Sequence, residues 1–287
     1  MGMSKKMPFR TDLAIELKSK IYGEIAGVKH SEKRIENITV SKTEIITKEG
    51  AEKMGKPIGK YLTAEFPDII KIADFEPLKN TIKESLFYML KKPEKVLVVG
   101  LGNDEITADS IGPITVKNIL ATRHIAGEFA ENIGLKGLKN VALLTPNVLG
   151  KTGIESYEII ESVVRKIRPS CVIVIDALAA GSITRLFRTI QFSSTGITPG
   201  SGVKNSRKEL SKNTLGVPVV GVGIPTVVEA DILAFELSEK EPPEASDMIV
   251  TPKDCDLLNH KMSEVLASAL NEFLQPEIDP EILEQLV

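Results

Sequence analysis

Residues 95–113 read KVLVVGLGNDEITADSIGP, and this stretch limits the choice of fold more than any other. Four apolar residues in succession, 96–99, leave no polar face. Such a strand must be buried on both sides, as in a parallel sheet covered by helices. Gly100 and Gly102 then permit a sharp turn, and Asn103, Asp104, Glu105, Thr107, Asp109 and Ser110 crowd the loop that follows. Gly112 and Pro113 suit the start of a helix. The loop is therefore expected at the carboxyl end of a strand, where open α/β sheets bind their ligands.

The same alternation runs on through the chain. Leu78, Ile82, Leu86 and Met89 recur at helical spacing before Pro93. Further helices are expected at about 113–124, 154–167, 226–237 and 253–274, and strands at 141–144, 171–175, 186–192 and 217–222. The stretch 193–215 shows no apolar periodicity and contains Gly196, Gly200 and Gly202. It reads as a long polar loop bordering the cleft, with Arg207, Lys208 and Lys212 turned to solvent or to acidic substrate side chains. Residues 239–247 read as a charged linker. Ahead of this pattern, 36–47 and 60–70 look like strands of a different, half-buried type. The expectation is an α/β fold, a mostly parallel sheet flanked by helices, over 76–287. Residues 1–75 are expected to form a small β-containing annex.

Charge and composition exclude several classes. With 36 basic and 39 acidic residues interspersed and a net charge of −3, nothing marks a nucleic-acid groove or a membrane-binding face. No apolar run approaches the roughly 18 residues of a membrane span, and the leading MGMSKKMPFR lacks the apolar core of a signal peptide. A soluble intracellular protein is expected. Cys171 and Cys255 lack metal or redox spacing, and His30, His124 and His260 lie in unrelated segments.

Two carboxylates occupy matching positions. Asp176 directly follows the apolar run 172–175, and Asp109 lies in the loop after 96–99, so both are expected on one edge of the sheet. If the strands are neighbours, the two groups face each other and cannot both ionise cheaply. One then keeps a proton as acid while the other, ionised, activates water. The helix start at Pro113 favours the anion at Asp109, which makes Asp109 the base. The plainer role of an Asp after a strand is to satisfy nearby backbone N–H groups. Asp104 and Glu105 read as solvated. A metal held by the same carboxylates is a rival, and so is a nucleotide-binding module built on VVGLGN. The latter lacks its third glycine, for which Glu105 stands.

Several blocks together resemble the germination protease family: GLGNDEITADSIGP, TRH at 122–124, IDALAAGSI at 175–183, TGITPGSG at 195–202, KELSKNTLGVPV at 208–219 and GIPTVVEA at 223–230. RTDLAIE at 10–16 resembles the start of that family's mature enzyme. The resemblance implies an atypical aspartic endopeptidase with Asp109 and Asp176 as its catalytic pair and no cofactor. Its implied substrates are the small acid-soluble proteins that coat DNA in dormant bacterial spores. It further implies a zymogen with a short propeptide at 1–9, a homo-oligomer of tetrameric type, a place in the cytoplasm of the forespore or spore core, and a fold similar to hydrogenase maturation proteases, whose equivalent acidic positions bind nickel. The chain departs from the family pattern at Asp104, Glu105, Gly181 and Thr198. The first two are expected to raise nearby carboxyl pKa values, and the other two to alter the cleft.

Overall fold

The computed structural model describes residues 11–19, 25–125, 137–200, 207–238 and 248–286. The expected propeptide at 1–9 and the expected linker at 239–247 lie outside the described residues. Chain order begins with α1 (Ala14–Ser19), the strands β1 (Val28–Ile35) and β2 (Ile38–Ile45), α2 (Lys48–Met54), β3 (Gly59–Glu65), α3 (Glu76–Met89), β4 (Lys95–Gly100) and α4 (Ile111–Lys117). It continues with β5 (Asn140–Leu144), α5 (Leu149–Thr152), α6 (Ser156–Ile167), β6 (Cys171–Ala180), β7 (Thr189–Ser193) and α7 (Lys212–Leu215). Last come β8 (Val219–Glu229), α8 (Ala230–Ser238), β9 (Ile249–Val250), α9 (Cys255–Leu274) and α10 (Pro280–Gln285).

Among the described residues the strands form one mixed sheet of nine, in the order β1-β2-β3-β7-β8-β6-β4-β5, with β9 on β8. One half of it, ending at the edge strand β5, is the expected parallel set, β8-β6-β4-β5. Strands β1 to β3 come from the stretch expected as an annex, and they join the same sheet through the antiparallel β3–β7 pair. The unalternated run in β4 is explained by two covered faces. Val96 and Val98 pack into one core with α3, α4 and α9, while Leu97 and Val99 pack into a second with Ile160 and Val164 of α6. Each such side chain contributes about 1.5–3 kcal/mol on burial.

Several boundaries differ from expectation, each for a physical reason. The helix expected at 113–124 stops after Lys117, because Asn271 of α9 takes over its last backbone groups. The Asn271 side chain donates to the Asn118 carbonyl at 3.0 Å and accepts from the Leu120 amide at 2.9 Å. The helix expected from 226 begins at Ala230, since 223–229 continue β8 alongside an equally extended β6. The polar stretch 193–215 is not structureless. Its two stems bridge at Ile197 and Leu210, and Leu210 and Leu215 are buried in the second core. No helix among the described residues is long and apolar enough to cross a membrane.

Candidate active site

The site forms where β4 ends beside β6. These strands are parallel neighbours, with Gly100 opposite Ile175 and the Leu101 amide donating to the Ile175 carbonyl at 2.8 Å. The chain leaving β4 then makes a tight turn, Thr107–Asp109, before α4. Gly102, at φ 114°, passes so close to that turn that a Cβ would lie 1.9 Å from the Asp109 carbonyl oxygen. A Cβ on Gly112 would lie 2.3 Å from the Leu101 carbonyl oxygen. Both glycines thus serve close packing of the loop on itself. The Asp109 Oδ2 accepts from the Asn103 amide at 2.8 Å.

Two fully buried side chains clamp the turn from outside. Thr226 Oγ1, on β8, donates to the Ala108 carbonyl at 2.6 Å, and Asn259 Nδ2, on α9, donates to the Thr107 carbonyl. Neither was singled out in the sequence, because each acts on backbone atoms more than a hundred residues away in the chain.

Asp176 lies inside β6, where the sequence placed it after the strand's end. Pairing with β8 carries β6 on to Ala180, with a register shift between Leu178 and Ala179. Asp176 is 6% exposed, and its Oδ1 accepts from the Ala177 amide at 3.0 Å. Asp109 and Asp176 line one cleft of about 270 Å³ together with Asp12, Thr198, Pro199, Arg207 and Thr226. The two predicted site residues therefore come together.

A third carboxylate, Asp12, was missed, although it lies in the block RTDLAIE. It is held against the far end of β6: its amide donates to the Ala179 carbonyl at 3.1 Å, and its Oδ2 accepts from the Ala179 amide at 3.0 Å. Its carbonyl accepts from Lys56 Nζ at 3.1 Å and from Gln191 Nε2 at 3.0 Å.

Burial and like charge set the electrostatics. Burial, reinforced by the charges of Asp109 and then Asp12, drives the Asp176 carboxyl well above the usual range, against the Ala177 hydrogen bond and the charge of Arg207. Burial also raises Asp109, but the Asn103 hydrogen bond and Arg207 oppose it. Of the two, Asp176 is pushed further toward its protonated form.

Of the four departures, Thr198 lines this cleft, whereas Gly181 packs elsewhere, its amide donating to Glu16 Oε2 at 2.8 Å. Asp104 and Glu105 do not raise the pair, contrary to expectation. Lys151 pairs with Glu105 and lies 3.9 Å from Asp104, so their charge is compensated at the surface. Lys208 is likewise engaged, over the Tyr157 ring at 3.7 Å.

The chain has extensive relatives. A family model described as germination protease matches residues 10–239. A germination protease of Clostridium tetani is 38% identical over 96% of this chain and 98% of its own length. One from Caldanaerobacter subterraneus subsp. tengcongensis is 38% identical over 97% and 98%. Another, from a Geobacillus species, is 45% identical over 77% of this chain and 64% of its own. Among solved structures, the NiFe hydrogenase maturation protease HycI of Thermococcus kodakarensis aligns with 66% of this chain and 97% of its own, at 16% identity and a TM-score of 0.40.

Proposed function

The chain belongs to the germination protease family, and from that premise we propose that it is an endopeptidase that opens small acid-soluble, DNA-coating spore proteins to degradation during germination. Asp109 and Asp176 activate water between them. The observation that carries this reading is the pair itself: two carboxylates brought to one cleft from adjacent parallel strands, both pushed upward by burial, Asp176 further by the charge of Asp109.

The chemistry follows from the difference between the two. Ionised Asp109 takes a proton from water as its oxygen attacks the substrate carbonyl carbon. Protonated Asp176 delivers its proton to the departing amide nitrogen as the carbon–nitrogen bond breaks. Asp109→Asn and Asp176→Asn should each lower the cleavage rate of a small acid-soluble spore protein by at least a hundredfold with the circular dichroism spectrum intact. Near wild-type turnover in both variants would defeat the assignment.

The residues fit the rival readings poorly. Among the described residues no three His, Cys, Asp or Glu side chains converge to hold a metal ion. No step is routed through a metal. The loop after β4 spends its amides internally: those of Leu101, Asn103, Glu105, Ile106 and Asp109 already donate to protein oxygens. That leaves little for a nucleotide pyrophosphate.

The zymogen, the homo-oligomer of tetrameric type and the forespore location belong to the same proposal.

A further inference from the structure

Among the described residues, the cleft is lined by three carboxylates, Asp12, Asp109 and Asp176, and by one cationic side chain, Arg207. That imbalance matters for the reaction. When water adds to a peptide carbonyl, the π electrons move onto the oxygen, so the negative charge that Asp109 gives up by taking the water proton reappears on that oxygen, and an anion there beside Asp12 is costly in a buried site. A donor aimed at that oxygen is the usual remedy and often the largest single contribution to rate.

Arg207 is placed for such a part by its backbone. Its amide donates to the Pro199 carbonyl at 3.4 Å, joining it to the Thr198 and Pro199 wall of the cleft. Three residues on, Leu210 and Ile197 exchange backbone hydrogen bonds at 2.8 and 3.0 Å, and Leu210 is fully buried. Between these ties Lys208 lies over the Tyr157 ring. The stem carrying Arg207 is therefore tied at Arg207 itself and over the three residues that follow it, which is what a preorganised donor needs. The charge also reaches both aspartates, lowering each against the effect of burial.

We propose that Arg207 is a catalytic residue, whose guanidinium donates hydrogen bonds to the substrate carbonyl oxygen as it becomes the oxyanion. The proposal rests on the reading of Asp109 and Asp176 as the dyad. The bookkeeping is closed. The water proton goes to Asp109, the oxyanion pairs with Arg207, and collapse of the tetrahedral species re-forms the C=O bond while Asp176 protonates the leaving nitrogen. Arg207 thereby reserves the Asp176 proton for the amine, since the carbonyl oxygen need not be protonated.

The test uses the full chain and a small acid-soluble spore protein as substrate. Arg207→Gln should lower kcat by roughly 100-fold or more, as loss of one oxyanion donor does, while KM changes less than threefold. Arg207→Ala should behave alike, and added guanidinium chloride at millimolar concentration should restore part of its kcat. Melting temperature and near-UV circular dichroism should match wild type. A kcat within threefold of wild type for Arg207→Gln, or a loss in Arg207→Ala that guanidinium leaves untouched, overturns the proposal. Asp109→Asn and Asp176→Asn measured alongside keep the two readings apart. If they are inactive while Arg207→Gln is active, only the role of Arg207 fails; if they are active, the dyad fails first.

Discussion

A protonated carboxyl buried at Asp176 must leave a signature in stability against pH. The unfolded chain releases that proton at the ordinary Asp value of about 3.9. The native state keeps it to higher pH, because burial and the charges of Asp109 and Asp12 disfavour the anion. Between those two values the native state therefore binds more protons than the unfolded state, and stability falls as pH rises. The slope inside that window is about 1 kcal/mol per pH unit for one excess proton. Asp109, raised less securely, adds to the slope near the lower end. Asp176→Asn removes the titration and should flatten that component. Glu272, held low by Lys79 and Lys83 against burial, works in the opposite sense, but it is common to both proteins and cancels in the difference. Urea denaturation of wild type and Asp176→Asn at pH 4.5, 5.5 and 6.5 supplies the measurement. The variant should gain on wild type with each step in pH, whatever constant offset the amide introduces. A difference that stays flat across the three pH values would show that Asp176 ionises normally, and the acid role assigned to it would fall with that result.

Two further outcomes follow from the geometry. Thr226→Val leaves the Ala108 carbonyl without its 2.6 Å donor, which should cost about 1–3 kcal/mol in denaturant midpoint and slow cleavage, since Ala108 directly precedes Asp109; an unchanged midpoint and rate would show that the clamp is idle. Exhaustive chelation followed by metal analysis should leave cleavage intact, and a stoichiometric metal whose removal abolishes activity would restore the metal reading.

Much of the central sheet was legible because its determinants are local. The β-branched run of β4 and the near-continuous apolar residues of β6 can only be strands covered on both faces, and the burial of Val96 to Val99 and of Val172 to Ile175 bears this out. The first strand escaped notice for the opposite reason. VKHSEKRI in β1 carries charges along most of its length and lies at the sheet edge, where only β2 pairs with it; its register comes from the partner rather than from its own pattern. The stems of 193–215 were misread because Leu210 and Leu215 are too widely spaced to make a periodic signal. They become core residues only through the hydrogen bonds that join Ile197 to Leu210.

That the two aspartates meet in one cleft was legible, most of their surroundings were not, and the division has a physical origin. Asp109 in the turn after one apolar strand and Asp176 in another hold positions the chain itself reveals, as does the polar segment that brings Arg207 to the cleft, whereas Asp12, Thr226 and Asn259 reach the site from distant segments and depend on strand order. The plain role foreseen for an Asp beside a strand is also fulfilled, but by half of each group. Oδ2 of Asp109 accepts from Asn103 and Oδ1 of Asp176 accepts from Ala177. The remaining oxygen of each makes no hydrogen bond among the described residues. One oxygen anchored to the backbone fixes where the carboxyl group stands, and the other is left to meet water or substrate. A residue serving only as a cap needs the first arrangement; general acid/base chemistry at a fixed distance needs both.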